Sequence, residues 1–173
     1  MKKEKILITG GSGFVGTNLI DKLPKDFYEI FSLDIEKPKI NFDVVNYENM
    51  DIRSKHVGEL IKDIDPKIIL HLAAQSSVSV SSKNPVLDND VNLSGSLNLF
   101  LNSTKSNVEQ FISFSTGGAI YGEELGKNFK ESDNTKPLSP YGISKLNFEN
   151  YLKYFSAIKK FNCKTTIIRP SNI

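Results

Sequence analysis

Short runs of apolar residues recur along the chain, and longer stretches of mixed apolar and polar residues separate them. Runs of this length, rich in Ile, Leu, Val and Phe, are typical of strands that are buried on both faces. Strands that alternate with helices indicate a parallel sheet with helices on both sides. The pattern therefore predicts an α/β fold built on a doubly wound parallel sheet. The predicted strands are Ile6–Thr9, Glu29–Leu33, Val44–Tyr47, Lys67–Leu72, Glu109–Ser115 and Lys164–Ile168.

Two helices have clear start signals in the sequence. Asn84 precedes Pro85, and Ser139 precedes Pro140. In each pair the first side chain can cap the helix, and the proline occupies a position whose N–H group would have no helical partner. We therefore predict helices that begin near Pro85 and near Pro140. The charged segment Glu123–Lys136 is predicted to be a surface loop.

A chain of 173 residues with 39% hydrophobic and 24% charged residues has the size and composition of one globular domain. Its 22 basic and 20 acidic residues are interleaved, which argues against a surface for nucleic acid. No apolar segment approaches the roughly 18 residues that a membrane span needs, and the single Cys163 cannot form an internal disulfide. We expect a cytoplasmic protein without nucleic-acid or membrane partners and without a metal site.

The first candidate motif is TGGSGFVG, which spans Thr9 to Gly16 between the first predicted strand and an amphipathic helix. Gly10 and Gly13 would keep side chains away from a bound pyrophosphate, and Gly16 would let the helix lie against the strand. Glycines at this spacing also occur in ordinary turns, so the flanking strand and helix supply the context. The motif predicts a dinucleotide site on a Rossmann-type sheet.

Asp34 ends the second predicted strand, 18 residues after Gly16. A carboxylate at this point can accept hydrogen bonds from the ribose hydroxyls of adenosine, and it would repel the additional phosphate of NADP. NAD is therefore the expected cofactor. The alternative is that Asp34 is a solvated loop residue.

Tyr141 and Lys145 lie one turn apart on the helix predicted from Pro140. Such a pair often occurs by chance, but this one opens the helix that follows the fifth strand, at the carboxyl edge of the sheet. Ser115 and Thr116 end that strand at the same edge. The four residues are candidates for a proton-transfer group. The alternative is a structural role for all of them.

These segments resemble the extended short-chain dehydrogenase/reductases, in particular the NAD-dependent nucleotide-sugar epimerases and dehydratases. The similar motifs follow in order: TGGSGFVG, Asp51-Ile52-Arg53, HLAAQ, the helix with Asn92, STGGAIYGE, SPYGISK and RPSN. The resemblance implies an NAD site formed by Gly10, Gly13, Phe14, Val15, Gly16, Asp34, Asp51, Ile52, Leu72, Ala73, Ala74, Gln75, Asn92, Tyr141, Lys145 and Pro170. It implies catalytic roles for Tyr141, Lys145, Thr116 and Ser115, and substrate contacts by Thr116, Tyr141 and Asn172.

Some of these residues also have structural interpretations. Asp51 could instead cap the next helix. His71 ends an apolar strand, where a hydrogen-bonded packing role is expected rather than a base, and His56 is expected at the surface. Asn92 could be an ordinary polar residue of a helix. A buried amide there would need partners and could hold backbone or water near Tyr141.

The sequence departs from the family pattern after the fifth strand. Many members have the catalytic Ser or Thr five positions before the glycine of the Tyr-Gly pair, where this chain has Gly117. Thr116 is therefore the preferred hydroxyl, with Ser115 as the alternative. Dehydratases of the family have Asp-Glu after the threonine, whereas Gly117 and Gly118 follow here. The resemblance therefore favours epimerisation over the elimination of water.

The implied reaction is the 4-epimerisation of a UDP-hexose. Tyr141 would take the proton of the sugar 4-hydroxyl while hydride passes from C4 to NAD, and the keto sugar would turn and receive the hydride on its other face. Tyrosine ordinarily titrates near pH 10, so its pKa must fall by about 3, which corresponds to roughly 4 kcal/mol. Lys145 and the nicotinamide ring are the expected causes. Thr116 would hold the sugar oxygen and pass the proton.

Family members continue beyond the RPSN segment into a smaller substrate-binding lobe, whereas this chain ends at Ile173. Residues 1–173 are therefore interpreted as an NAD-binding Rossmann domain without that lobe. The alternatives are a dehydratase, decarboxylase or reductase of the same family, and a non-catalytic NAD-binding module.

A homodimer is expected through the helices that begin near Pro85 and Pro140, because family members pair two such helices per subunit. The alternative is that the apolar residues of these helices pack only on the sheet. The residues concerned are Leu87, Val91, Leu97, Leu101, Leu146, Tyr151, Leu152 and Phe155.

Overall fold

The structure is a computed structural model, and it describes residues 2–123, 128–159 and 161–171. The described residues form a single sheet in which every strand pair is parallel. The strands are β1 (Glu4–Thr9), β2 (Tyr28–Asp34), β3 (Val45–Asn49), β4 (Ile68–His71), β5 (Gln110–Phe114) and β6 (Lys164–Ile168). They match the predicted strands to within one or two residues at each end.

The strands lie in the order β3-β2-β1-β4-β5-β6. The chain builds outward from β1 to β3 in one direction and from β4 to β6 in the other, so the order reverses between β1 and β4. At this point Thr9 pairs in register with His71, the last residue of β4. A doubly wound sheet binds its ligand outside the carboxyl ends of the strands at such a reversal. The predicted α/β architecture is confirmed.

The helices are α1 (Phe14–Lys22), α2 (Val57–Ile64), α3 (Val78–Lys83), α4 (Pro85–Asn89), α5 (Ser96–Ser103), α6 (Gly117–Ile120) and α7 (Pro140–Ala157). Both predicted helix starts are confirmed. The Asn84 side chain accepts a hydrogen bond from the Leu87 nitrogen at 3.1 Å. The Ser139 hydroxyl accepts one from the Gly142 nitrogen, also at 3.1 Å.

The helix predicted from Pro85 is interrupted by a π-helical segment, Asp90–Gly95, which joins α4 to α5. The sequence does not indicate this interruption, since the apolar spacing continues through it. The side chain of Asn92, within the segment, is turned towards the chain after β4 and is hydrogen-bonded there. Such bulges inside helices often occur at functional sites.

The core has one layer on each face of the sheet. On the first face, the side chains of β1, β2, β4 and β5 pack against α2, α5 and α7. On the second face, Ile6, Ile8 and Ile30 pack against α1 through Ile20. Three residues expected on the surface of the Pro85 and Pro140 helices belong to the first layer instead, because those helices turn them towards the sheet. They are Leu97, Leu152 and Phe155.

The predicted loop Glu123–Lys136 lies at the surface in its described part, since most of its residues from 128 onwards are exposed. The loop is tied back at its end, where the Lys136 nitrogen donates to the Ile120 oxygen at 2.8 Å. The ring of Phe129 stacks on that of Tyr121, with 4.9 Å between the centroids.

Candidate active site

The glycine-rich turn between β1 and α1 packs against the chain that leaves β4. Gly10 has a φ of +72°, and a Cβ at this position would lie 2.6 Å from the Ala73 nitrogen. A Cβ on Gly16 would lie 2.4 Å from the Gly10 oxygen, so α1 can begin this close to the turn only without a side chain there. A Cβ on Gly13 would approach nothing but the Gly10 oxygen, at 3.3 Å. The space beside Gly13 is therefore open to a ligand.

A cavity of about 710 Å³ opens beside this turn, where the strand order reverses. Its volume is in the range of small-molecule and cofactor sites. The predicted cofactor residues that line it are Gly10, Gly13, Phe14, Val15, Gly16, Asp34, Asp51, Ile52, Leu72, Ala73 and Ala74. Gln75, Asn92, Tyr141, Lys145 and Pro170 lie outside its lining.

The cavity lining also contains residues that sequence reasoning missed, including Ser12, Met50, Ser76 and Val91. Ser12 lies inside the glycine motif, and Met50 directly precedes Asp51. Their position next to predicted cofactor residues is the signal that could have identified them as cavity residues. Phe14 is 72% exposed although it begins an amphipathic helix, because its ring faces the cavity and not the core.

The carboxylate of Asp34, at the end of β2, is hydrogen-bonded to the glycine-rich turn. Its Oδ2 accepts a hydrogen bond from the Ser12 nitrogen, and its Oδ1 accepts one from the Glu36 nitrogen, each at 3.0 Å. A carboxylate has about four acceptor positions, so Asp34 retains capacity for the hydroxyls of a ligand in the cavity.

Asp51 does not cap the next helix, contrary to one of the two sequence interpretations. Helix α2 begins at Val57, six residues later, and Asp51 binds Arg53 instead. Its Oδ2 lies 2.7 Å from an Arg53 Nη atom, and another Arg53 Nη lies 2.8 Å from Asp90. The hydrogen bond from Arg53 lowers the pKa of Asp51. This ion pair joins the cavity wall to the π-helical segment.

Tyr141 and Thr116 are brought together at the carboxyl edge of β5. The Thr116 hydroxyl lies close enough to the Tyr141 side chain to lower the pKa of the phenol, but the two groups are outside hydrogen-bond geometry. Burial nevertheless raises the pKa of Tyr141, the nearby Thr116 hydroxyl opposes that effect, and the negative charge of Asp88 adds to it. The lowered tyrosine pKa expected from the sequence is therefore not produced by the described residues alone.

Lys145 lies one turn beyond Tyr141 and is only 4% exposed. Its ammonium makes no hydrogen bond to any other residue in the described part of the chain. Burial lowers the pKa of Lys145 to about 8, against the opposing effect of the carboxylates of Glu149 and Asp88. Within the described residues, the ammonium therefore keeps its capacity to donate to a ligand.

The Ser115 hydroxyl faces Glu149, not Tyr141. It is buried and lies close enough to Glu149 to lower the pKa of that carboxylate, but outside hydrogen-bond geometry. Of the two candidate hydroxyls, Thr116 is thus the one beside Tyr141. Pro170 approaches the same region through its backbone, since its oxygen accepts a hydrogen bond from the Gly117 nitrogen at 2.6 Å.

His71 is confirmed as a hydrogen-bonded packing residue. Its ring nitrogens lie 2.7 Å from the Thr9 hydroxyl and 2.8 Å from the Ser96 hydroxyl. Burial, helped by the nearby charge of Lys145, lowers the pKa of His71 to about 3, so the ring is neutral at ordinary pH. His56 is at the surface, as expected, where it pairs with Glu59 at 2.9 Å.

Asn92 is completely buried and has partners, as a buried amide requires. Its side chain both accepts from the Gln75 nitrogen, at 2.9 Å, and donates to the Gln75 oxygen, at 2.8 Å. Asn92 therefore holds the backbone of the segment that continues from the cavity. Asn172, the remaining candidate for substrate contact, lies outside the described residues.

Glu149 and Arg169 form a buried ion pair behind the candidate catalytic residues. The shortest distance between their charged atoms is 2.6 Å, and the Glu149 side chain is 2% exposed. Burial acts to raise the pKa of Glu149, but the hydrogen bonds from Arg169, the nearby Ser115 hydroxyl and the charges of Arg169 and Lys153 together outweigh it, and the pKa is lowered. Sequence reasoning missed Glu149, although it lies one turn after Lys145 on the same helix face.

Among the described residues, no helix combines the length and the apolar character needed to cross a membrane. No group of three or more His, Cys, Asp and Glu side chains within the described ranges is arranged to hold a metal ion.

Comparison with known proteins gives a consistent result. The sequence profile of the NAD dependent epimerase/dehydratase family matches residues 6–173. A putative UDP-glucose 4-epimerase of Methanocaldococcus jannaschii is 37% identical over 172 residues, which cover 97% of this chain and 55% of that protein. The chain thus spans about half the length of this relative.

Solved structures show the same relation. The fold matches that of UDP-glucose 4-epimerase from Thermus thermophilus in complex with NAD, with a TM-score of 0.89 and 36% identity. It also matches UDP-glucose 4-epimerase from Thermotoga maritima with UDP-glucose, with a TM-score of 0.87 and 36% identity. In both cases the match covers 95% of this chain and 54% of the other.

Proposed function

The chain belongs to the NAD-dependent epimerase/dehydratase family, and on that basis we propose that it is the NAD-binding part of a nucleotide-sugar 4-epimerase acting on a UDP-hexose. The observation that carries the proposal is the arrangement of Tyr141 beside the Thr116 hydroxyl, with Lys145, which is 4% exposed, one turn further on. The relatives named UDP-glucose 4-epimerase support the choice of substrate class.

The residues around the cavity fit NAD, the cofactor of this family. The open side of Gly13 leaves room for the pyrophosphate at the start of α1, where helical N–H groups favour an anion. Asp34 would accept from the adenosine ribose, and Asp51 with Ile52 would bound the adenine. Lys145 would donate to the other ribose, which would give its buried ammonium a partner.

When bound, NAD supplies the acceptor, and afterwards the donor, of the hydride. The protein's own part is the movement of the proton. Tyr141 Oη would take the proton of the sugar 4-hydroxyl and return it when the epimer forms, with Thr116 holding the same sugar oxygen and relaying the proton. Because burial raises the pKa of Tyr141 in the protein itself, positive charge must be brought to the phenol for this step.

Epimerisation is favoured over dehydration by the packing at Gly117. A Cβ at this position would lie 3.1 Å from the backbone oxygens of both Arg169 and Pro170. An acidic side chain following Thr116, as in the dehydratases, would therefore require the backbone after β6 to shift by a few tenths of an ångström. The chain thus lacks the acid for elimination, and the packing at Gly117 does not favour one.

The proposal can be tested with the chain alone and with the chain joined to the C-terminal lobe of the Methanocaldococcus jannaschii relative. We expect the 173-residue chain to bind NAD with little turnover, because a sugar without the lobe is not held in a reactive geometry. The joined protein should convert UDP-galactose to UDP-glucose. Tyr141→Phe should reduce its turnover by about 10²- to 10⁴-fold and leave NAD binding intact.

Tyr151→Phe is the matched control, since Tyr151 lies on the same helix and is 44% exposed; it should keep full turnover. Equal activity in Tyr141→Phe would place the base elsewhere. A dehydrated keto sugar as product would replace the epimerase proposal with a dehydratase. NAD binding without turnover in the joined protein would indicate a binding module.

A further inference from the structure

Asp88 is a buried carboxylate that the proposed chemistry does not use. It lies in α4 and is 1% exposed. Its two oxygens accept hydrogen bonds from three side chains in three different segments of the chain. Oδ1 accepts from Gln75 Nε2 at 2.9 Å and from Asn92 Nδ2 at 3.0 Å, and Oδ2 accepts from the Ser144 hydroxyl at 2.6 Å.

The first two donors connect Asp88 to the cavity. Gln75 follows Ala73 and Ala74, which line the cavity, and Asn92 holds the Gln75 backbone through two further hydrogen bonds. The position of the chain after β4 is therefore fixed by Asn92, and Asp88 in turn orients the Asn92 amide.

The third donor connects Asp88 to the candidate catalytic residues. Ser144 lies in α7 between Tyr141 and Lys145, and its hydroxyl also lies 3.0 Å from the backbone carbonyl oxygen of Tyr141. The negative charge of Asp88 acts on both neighbours, since it raises the pKa of Tyr141 and opposes the fall in the pKa of Lys145. The hydrogen bond to Ser144 joins α7 to the same carboxylate that holds the cavity wall.

Packing alone does not explain this arrangement. An apolar side chain would join α4 to α7 without the desolvation that a buried carboxylate requires. All three hydrogen-bond donors to Asp88 are neutral, and the ammonium of Lys145 attracts the carboxylate through its charge without a hydrogen bond. Unlike an apolar group, the carboxylate accepts three hydrogen bonds at once and so fixes the positions of the three donor side chains.

We propose that Asp88 is a positioning residue for the reaction: its carboxylate fixes the catalytic face of α7 relative to the cavity wall after β4. The inference rests on the proposed function, because it assumes that NAD lies along this wall and reaches Lys145. Through Ser144, Asp88 would determine where Tyr141 and Lys145 stand with respect to the nicotinamide half of the cofactor. The adenosine half would be held by the glycine turn and Asp34 and would not depend on Asp88.

Calorimetric titration of the full 173-residue chain with NAD and with ADP tests this division. ADP probes the adenosine and pyrophosphate half only. In Ser144→Ala, which removes the hydrogen bond between Asp88 and α7, the dissociation constant of NAD should rise about five- to tenfold while that of ADP stays within about twofold. A change in the NAD-to-ADP ratio is not expected from a general loss of stability.

Asp88→Asn is the conservative variant. Its amide oxygen can accept hydrogen bonds from Gln75 and Asn92, and its amide N–H can donate to the Ser144 hydroxyl. That hydroxyl would then donate its own proton to the backbone carbonyl oxygen of Tyr141. This variant should bind NAD within about twofold of the wild type. Ser103→Ala is the matched control, because Ser103 is also buried and its hydroxyl donates to the Phe100 oxygen of its own helix; both dissociation constants should be unchanged.

The outcomes separate the inference from the function on which it rests. Failure of the wild-type chain to bind NAD would contradict the proposed function and the inference with it. If the wild type binds NAD but Ser144→Ala weakens NAD and ADP equally, or neither, only the role of Asp88 is wrong. If Asp88→Asn binds NAD as weakly as Ser144→Ala does, the claim that Asp88 acts through its hydrogen bonds would also be wrong.

Discussion

At the scale of single residues, burial and charge oppose each other most strongly at Lys145. Its ammonium is buried, and the negative charges of Glu149 and Asp88 offset only part of the cost of burial. Its pKa therefore falls from 10.5 to about 8. Below pH 8 the lysine is charged in both the folded and the unfolded chain, and the fold bears the full cost of burying it. Between pH 8 and 10.5 the folded chain releases the proton while the unfolded chain keeps it, so this cost disappears as the pH rises.

The first prediction follows from this increase in stability with pH. Lys145→Met, which keeps the shape and removes the charge, should be more stable than the wild type at pH 7 by up to about 3 kcal/mol, and its advantage should shrink between pH 8 and 10. Urea unfolding over this pH range measures the difference. Lys62→Met is the control, because Lys62 is an exposed lysine of helix α2. A pH-independent difference for Lys145→Met would contradict the burial argument.

A second prediction concerns Asp34 and the choice between NAD and NADP. The wild type should prefer NAD, because the carboxylate would face the additional phosphate of NADP at close range. In Asp34→Ala the preference should fall by about tenfold or more, since repulsion between close like charges is worth one or more kcal/mol. Calorimetry with both dinucleotides measures the ratio.

Asp34 also supports the turn through Ser12, so the control must loosen the loop without changing the charge. Ser12→Ala does this, because the Ser12 hydroxyl bonds the Glu36 oxygen at 2.9 Å. It should weaken both dinucleotides alike. Tighter binding of NADP than of NAD by the wild type would show that Asp34 does not set the preference.

At the scale of secondary-structure elements, the ion pair of Glu149 and Arg169 joins α7 to the end of β6. Arg169 also donates to Tyr121 Oη at 2.6 Å, so α7, β6 and the chain after α6 meet at one guanidinium. The carboxylate has a lowered pKa, so its contribution to stability is full above its unfolded pKa and is lost as the pH falls through the lower, folded value. The pair thus holds the candidate catalytic helix in place at neutral pH.

The third prediction concerns the coupling between Glu149 and Arg169 in the stability of the chain. Glu149→Gln should destabilise the chain by about 3–5 kcal/mol, because it leaves the Arg169 charge buried without its partner. Adding Arg169→Met should recover much of that loss. Urea unfolding of the two single variants and the double variant measures the coupling. Losses that simply add would mean that the two side chains act independently.

The sequence was informative about elements wherever the signal is local. Apolar runs located all six strands, and the cap pairs located the starts of α4 and α7. The π-helical segment was not predictable, because it depends on the contact of Asn92 with Gln75, 17 residues away. Asp88 was missed for the same reason, since its partner Ser144 is 56 residues away in the chain. Short helices such as α6 have too few residues for a periodic signal.

At the scale of the whole molecule, the candidate site is assembled from segments far apart in sequence. The cavity side comes from β1, α1, β2 and β4, and the proton-transfer side comes from the end of β5 and the start of α7. Parallel strands bring all their carboxyl ends to one edge, which explains why the order of motifs predicts which segments of the chain meet there. Their separations depend on buried hydrogen bonds between helices, and these the sequence does not reveal.

The surface of α7 carries the last prediction. Three large residues at helical spacing are exposed along one side of it: Ile143 by 48%, Tyr151 by 44% and Tyr154 by 56%. Of the residues expected from the sequence on the dimer surface of this helix, Tyr151 is exposed, whereas Leu152 and Phe155 belong to the core. Contiguous exposed apolar residues of this size are typical of interaction sites. A second copy of the chain, offering the same helix across a two-fold axis, would cover them.

We therefore expect light scattering at tens of micromolar to give twice the monomer mass of 19.3 kDa, a concentration at which a standard-size interface holds. Tyr151→Asp combined with Tyr154→Asp should give the monomer mass, because two carboxylates would be buried without partners in the interface. Phe27→Asp is the matched control: Phe27 is 62% exposed but precedes β2, away from α7, and its loss should leave the dimer intact. A wild-type chain that stays monomeric would show that the α7 surface is not a contact between copies, and dissociation by Phe27→Asp would place that contact elsewhere on the molecule.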